Sequence, residues 1–107
     1  MKKIDVGQLS TNAEQAEKLL KILANRNRLM LLCHLVDGER TAGELEELVG
    51  LSQSALSQHL GRLRKEGIIK NRREAQRLYY SLKDEKAKQI LVTMYELYCS
   101  PKYSGRI

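Results

Sequence analysis

Only Gly50, Leu51 and Ser52 separate two amphipathic segments, and a link that short forces the helices on either side to pack directly against each other. The first segment opens at Thr41, with Glu44 three residues later completing a capping box. Leu45, Leu48 and Val49 then share one face, and Gly50 closes the helix. Ser52 caps the second segment, where Leu56, Leu60 and Leu63 recur at helical spacing beside Ala55. Gly67 ends it as a left-handed cap. A short glycine-containing turn between two such helices is the helix-turn-helix spacing.

The flanking elements follow from the same periodicities. Thr11 and Glu14 read as a capping box ahead of Ala13, Ala16, Leu19, Leu20 and Leu23, which predicts a first helix. Asn25 caps a second helix to about Val36. Leu29, Met30, Leu31, Leu32, Cys33, Leu35 and Val36 leave this helix almost no polar side, as expected of one buried in the middle of a domain. Asp37-Gly38 turns the chain. Beyond Gly67, residues 68–74 and 77–82 read as two strands, the second alternating Leu78, Tyr80 and Leu82 with Arg77, Tyr79 and Ser81. Their connection, Ala75-Gln76, lacks the Gly or Asn a tight hairpin prefers, so the hairpin rests on alternation alone. Asp84 starts a last helix with Ala87, Ile90, Leu91, Met94, Leu97 and Tyr98 on a broad apolar stripe, and Ser100-Pro101 stops it. The fold class is mostly α with a small β-hairpin, and residues 1–107 read as a single domain.

The outer face of the helix after Ser52 carries Gln53, Ser54, Ser57, Gln58, His59, Gly61 and Arg62. A solvated face would carry mainly Glu and Lys, whereas short or forked hydrogen-bonding side chains suit base edges and phosphates in a major groove. His59 reads equally as a base or phosphate contact and as an ordinary satisfied histidine. The net charge of +6 is concentrated rather than spread. Arg62, Arg64, Lys65, Lys70, Arg72, Arg73 and Arg77 face only Glu66 and Glu74 between Ser52 and Tyr80, while Asp37 to Val49 is acidic. One basic face of this kind suits a polyanion. Arg72, Arg73 and Arg77 are candidate backbone contacts on the hairpin, with a charged, solvated edge strand as the plain alternative. Strand neighbours point to opposite faces, so Arg72 and Arg73 cannot both meet DNA equally.

Other classes find little support. No apolar run follows the N-terminal lysines and no segment is long enough to span a bilayer, so a cytoplasmic location is expected. The sequence has no glycine-rich phosphate loop, no HExxH and no CxxC, and its only histidines are His34 and His59. No enzyme, cofactor or metal site is expected. A winged helix serving only to bind protein would leave the basic hairpin and the Ser/Gln face unexplained.

In LANRNRLMLL (23–32), AGELEELVGLSQSALSQHLGRLRKEGII (42–69) and RREAQRLYYSL (72–82), the chain resembles the ArsR type of bacterial repressor, a winged helix-turn-helix family. The likeness covers nearly the whole chain. It implies that the fourth helix reads the major groove, that the wing touches the backbone or minor groove, and that the first and fifth helices form a homodimer on a palindromic double-stranded operator. The wide apolar arc of the last helix points to a dimer independently. The family's metal sensors commonly carry a Cys-x-Cys pair in the third helix, whereas GELEELVG has no cysteine; others use histidines in the last helix, which KDEKAKQILVTMYELYCS lacks. The cysteine in LLCHL, Cys33, and that in ELYCS, Cys99, are instead similar to those of the dithiol regulators that sense persulfide and other reactive sulfur species (BigR-like, SqrR-like and HlyU-like). The resemblance implies a repressor switched through these thiols. A metal-responsive repressor and a regulator that displaces another repressor are the alternatives.

Taken by itself, Cys33 in an apolar helix also reads as an inert packing residue. Burial opposes thiolate formation there. A helix C-terminus does the same at Cys99, where Lys102 and Arg106 can offset it. A plain disulfide requires Cα atoms within about 7 Å, whereas each inserted sulfur extends the reach by up to ~2 Å. A bridge of several sulfur atoms is therefore the expected product.

Overall fold

Six helices and three strands make up residues 3–99, the part described by the computed structural model. They are α1 (Val6–Thr11), α2 (Ala13–Leu23), α3 (Arg26–Cys33), β1 (Arg40–Thr41), α4 (Ala42–Val49), α5 (Gln53–Lys65), β2 (Ile69–Glu74), β3 (Arg77–Leu82) and α6 (Glu85–Cys99). The predicted stop at Ser100-Pro101 and the charges of Lys102 and Arg106 lie outside the described residues.

Local capping chemistry sets most of these boundaries. Thr41 accepts from the Glu44 amide at 3.1 Å while the Glu44 carboxylate accepts from the Thr41 amide at 2.8 Å, the predicted capping box. Gly50 closes α4 in the left-handed conformation at φ 68°, which no β-carbon opposes. Ser52 caps α5 by accepting from the Ala55 amide at 3.2 Å. At the far end of α5, Gly67 has φ 76°, its N–H donates to Arg64 and that of Ile68 donates to Leu63. These two bonds make a Schellman cap, and the buried Leu63 and Ile68 sit at the positions whose apolar contact usually accompanies it. Asp84 caps α6 by accepting from the Ala87 amide at 2.9 Å.

Four expectations need correction. The Thr11–Glu14 box does not form, because an earlier helix competes for Thr11. Asp5 caps α1 by accepting from the Gln8 amide, and Thr11 ends that helix with its hydroxyl donating to the Gly7 carbonyl at 3.3 Å. The second predicted helix stops at Cys33 rather than near Val36, since Leu35 and Val36 bond back three residues and tighten the chain into turns. Nor is it enclosed on all sides: Leu31, Leu32 and Leu35 are buried but Met30 is 48% exposed. Finally, the hairpin is the larger part of a three-stranded antiparallel sheet ordered β1-β3-β2. Strand β1 is only two residues long, and Thr41 serves both it and the α4 cap, so no alternation could reveal it.

The core gathers one contribution from almost every element. Ile22 and Leu23 of α2, Leu31 and Leu32 of α3, Leu45 of α4, Leu56, Leu60 and Leu63 of α5, Ile69 of β2, and Ala87 and Leu91 of α6 all pack together. Each fully buried leucine contributes about 1.5–3 kcal/mol relative to exposure. The leucine stripe of α5 is thereby fixed inward, and the opposite face of that helix is fixed outward.

Candidate nucleic-acid interface

Helix α5 presents Gln53, Ser54, Ser57, Gln58 and Arg62 to solvent, with His59 half-buried at the margin of the face. Among the described residues, no intramolecular hydrogen bond engages the side chains of Gln53, Ser57 or Gln58, so their donors and acceptors are free for a ligand. Ser54 is partly occupied by the Ser52 hydroxyl, at 3.4 Å. Burial first, and then the positive charges of Arg28 and Arg62, hold the His59 imidazole below the ordinary histidine value. At neutral pH it is therefore the uncharged ring, with one donor and one acceptor nitrogen.

The wing stands beside this helix, and its register sorts the arginines. Glu74 pairs with Arg77, Arg73 with Leu78 and Arg72 with Tyr79. Side chains of paired residues share a face, so Arg72, Glu74, Arg77 and Tyr79 lie on one side of the hairpin. Arg73 lies on the other, with Leu78, beyond the core residues Ile69 and Leu82. Arg73 and Arg77 are exposed and belong to no ion pair among the described residues. Arg72 is held quite differently. Its Nε and Nη2 donate to the two carboxylate oxygens of Glu39, with Nε–Oε2 at 3.0 Å, and Nη1 donates to Glu74 at 2.7 Å. Its guanidinium carbon lies 4.5 Å from the centroid of the Tyr79 ring. The turn at the tip places Ala75 at φ 56°, a left-handed conformation unusual for a side chain with a β-carbon.

Arg28 escapes a search for polar faces and basic clusters in the sequence, yet it is only 8% exposed and stands near His59 and Arg62. Burial, and then the charge of Arg62, lower its affinity for its proton. Its spacing is the available signal: Arg28 precedes Leu31, Leu32 and Leu35 by three, four and seven residues and so shares their buried face. Glu39, the partner of Arg72, carries no comparable signal.

The two cysteines occupy ends of separate helices. Cys33 is half-buried at the C-terminus of α3, and Cys99 is exposed at the end of α6, which packs against α3. Burial pushes the Cys33 thiol above its ordinary value, and the charge of Cys99 pushes it further. Among the described residues, no group of three or more His, Cys, Asp or Glu stands placed to hold a metal ion. No helix among them is long and apolar enough to cross a membrane.

Residues 25–71 match the family model of bacterial regulatory proteins of the arsR family. The chain is 47% identical over 96 residues to the helix-turn-helix transcriptional regulator YgaV of Escherichia coli, covering 89% of this chain and 97% of that one. It is 42% identical over 96 residues to the transcriptional activator HlyU of Vibrio cholerae, covering 90% and 89%. The crystal structure of the transcriptional repressor BigR from Xylella fastidiosa superposes with a TM-score of 0.85 at 40% identity, covering 90% of this chain and 98% of that one. The sheltered α5, its free polar face and the adjoining basic wing thus occur in a chain whose relatives are regulators of transcription rather than enzymes. This protein belongs to the bacterial ArsR family of DNA-binding transcriptional regulators, in the branch that includes HlyU and BigR.

Proposed function

We propose that this protein is a homodimeric repressor that releases a palindromic operator when sulfane sulfur bridges Cys33 and Cys99. The observation that carries this reading is that the only two cysteines end two helices, α3 and α6, that pack against each other. Their difference in exposure assigns an order. The exposed Cys99 thiol attacks a persulfide first and takes one sulfur, leaving a thiol behind. Once Cys33 is persulfidated in the same way, attack of one persulfide on the other closes a trisulfide and expels hydrogen sulfide. The protein thereby gains one sulfur and loses two hydrogens; of the two sulfane sulfurs delivered by persulfide, one stays in the bridge and the other is the oxidant, leaving reduced as hydrogen sulfide.

Exposed apolar side chains support the dimer. Leu20 on α2 and Val92, Tyr95 and Tyr98 on α6 lie open on the helices that the family likeness assigns to the interface, and Val6 and Leu9 of the preceding α1 are open as well. A groove of about 560 Å³ lined by Leu9, Leu19, Leu20, Ile90 and Met94 runs between them. In this reading Gln53, Ser54, Ser57 and Gln58 select bases, with His59 at their edge, while Arg62, Arg73 and Arg77 supply phosphate contacts. Two recognition helices then meet half-sites about 34 Å apart or a multiple of that. Bridging helices α3 and α6 couples the core to the dimer interface, and a coupling of about 1–3 kcal/mol changes operator affinity roughly 5- to 150-fold.

The test is intact-protein mass spectrometry alongside operator binding, before and after persulfide treatment. Treated protein should carry the trisulfide and release DNA, while Cys33→Ser and Cys99→Ser should hold DNA throughout. Release by the double variant, or release by zinc alone, overturns the thiol switch and supports a metal-responsive repressor. Because the HlyU relative is a transcriptional activator, the same footprint should be checked against a second repressor on the operator. Displacement of that repressor would mark a derepressing regulator.

A further inference from the structure

We infer that Arg72 is the brace that positions the wing rather than one of its phosphate contacts, and that it ties the wing to the loop leaving the Cys33 helix. The second half of this inference rests on the dithiol reading above; the first does not. All three guanidinium nitrogens of Arg72 are engaged, two on Glu39 and one on Glu74, and the group lies over the Tyr79 ring. A fork gripping a carboxylate through two nitrogens is the strong geometry for this pair, and few of its five N–H groups remain for a phosphate. The charge is also spent. Two carboxylates flank one guanidinium, so this corner of the wing offers a polyanion no net attraction, unlike Arg73 and Arg77.

The position of Glu39 gives the brace its reach. Glu39 and Arg72 are 33 residues apart in sequence, and between Cys33 and Glu39 the chain runs through hydrogen-bonded turns anchored by the buried Leu35. The Val36 amide donates to the Cys33 carbonyl at 3.2 Å, and Arg40 Nε donates to the His34 carbonyl at 2.8 Å. Arg40 and Thr41 then pair with Tyr80 and Tyr79 of the wing, and Thr41 caps the first helix of the helix-turn-helix. A shift at the end of α3 is therefore passed to the wing at two places, through the β1–β3 pairing and through Glu39–Arg72. The ion pair is the one of these that side-chain substitution can remove without breaking the sheet.

Operator binding by Arg72→Ala, Arg72→Lys, Glu39→Gln and the Glu39→Gln/Arg72→Ala double variant tests the brace, each across a salt series. The brace predicts that all four bind about two- to fivefold more weakly than wild type, the range of an exposed ion pair, with an unchanged salt slope. Lysine should not rescue, and the double variant should be no weaker than either single one. A phosphate contact predicts the reverse: Arg72→Ala loses about 0.9 of a unit of slope, Arg72→Lys retains it, and Glu39→Gln binds more tightly. That pattern overturns the inference. After persulfide treatment, with sulfur uptake confirmed by mass, Glu39→Gln should release DNA less completely than wild type; equal release refutes the link to the Cys33 loop. A wild-type protein indifferent to persulfide refutes the dithiol reading instead, and the brace then stands or falls on the salt slopes and the double variant.

Discussion

Replacing Arg28 with methionine isolates what a buried cation does for this fold, because methionine keeps most of the apolar stem and removes the guanidinium. The last four carbonyls of α2 have no partners within the helix. Leu20 and Leu23 accept from the amides of Ala24 and Asn25, at 2.9 and 2.8 Å. The other two depend on Arg28, whose Nε donates to Ile22 at 2.7 Å and Nη2 to Lys21 at 3.3 Å. A charged donor makes a hydrogen bond worth about 1.5–3 kcal/mol, and the longer contact contributes less than the shorter. The positive group also complements the negative end of the helix dipole. Arg28→Met should therefore cost about 2–4 kcal/mol, leaving the Ile22 carbonyl buried and unpaired. With a urea m-value of about 1–3 kcal/mol/M, the unfolding midpoint should fall by roughly 1–3 M at fixed protein concentration. A shift below about 0.3 M would show that water replaces the guanidinium at no cost and that Arg28 does not stabilise the end of α2.

The remaining predictions address the helix, the wing and pH. Leu63→Ala removes a side chain with no exposed surface and should destabilise by about 2–5 kcal/mol, read from the same urea curves. Ala75→Gly relieves a left-handed conformation and should raise the midpoint, the gain staying under about 1 kcal/mol because glycine is the more flexible residue when unfolded; a lower midpoint would contradict it. Arg77→Ala should weaken operator and random DNA alike and flatten the salt dependence by about one unit, whereas Gln58→Ala should reduce discrimination between them. His59 resists protonation in the folded chain, so the unfolded chain takes up the proton first as pH falls through about 6.5. Its contribution to stability is complete above that pH and is lost below it. His59→Gln should lose less stability than wild type between about pH 7.5 and 5.5, and parallel curves would exclude the effect.

Features written in neighbouring residues are legible in the amino-acid sequence by itself. The Thr41–Glu44 box, the Ser52 cap, the Gly67 close and the leucine stripe of α5 each involve contacts within a few positions, so spacing alone specifies them. The outward Ser/Gln face follows, since fixing the leucines inward leaves the opposite side no other direction. What the tertiary structure decided depends on which distant segments meet. It set Arg28 under the end of α2, gave β1 a partner in β3, packed α3 against α6 and placed Glu39 against Arg72. Strand alternation in the sequence already sets Arg72 and Arg73 on opposite faces, but only the folded register puts Arg72 with Arg77, and only a carboxylate from a remote loop then sets Arg72 apart from Arg77. Charge is a property of a residue, whereas the charge a ligand meets is a property of its surroundings, and those exist only once the chain has closed.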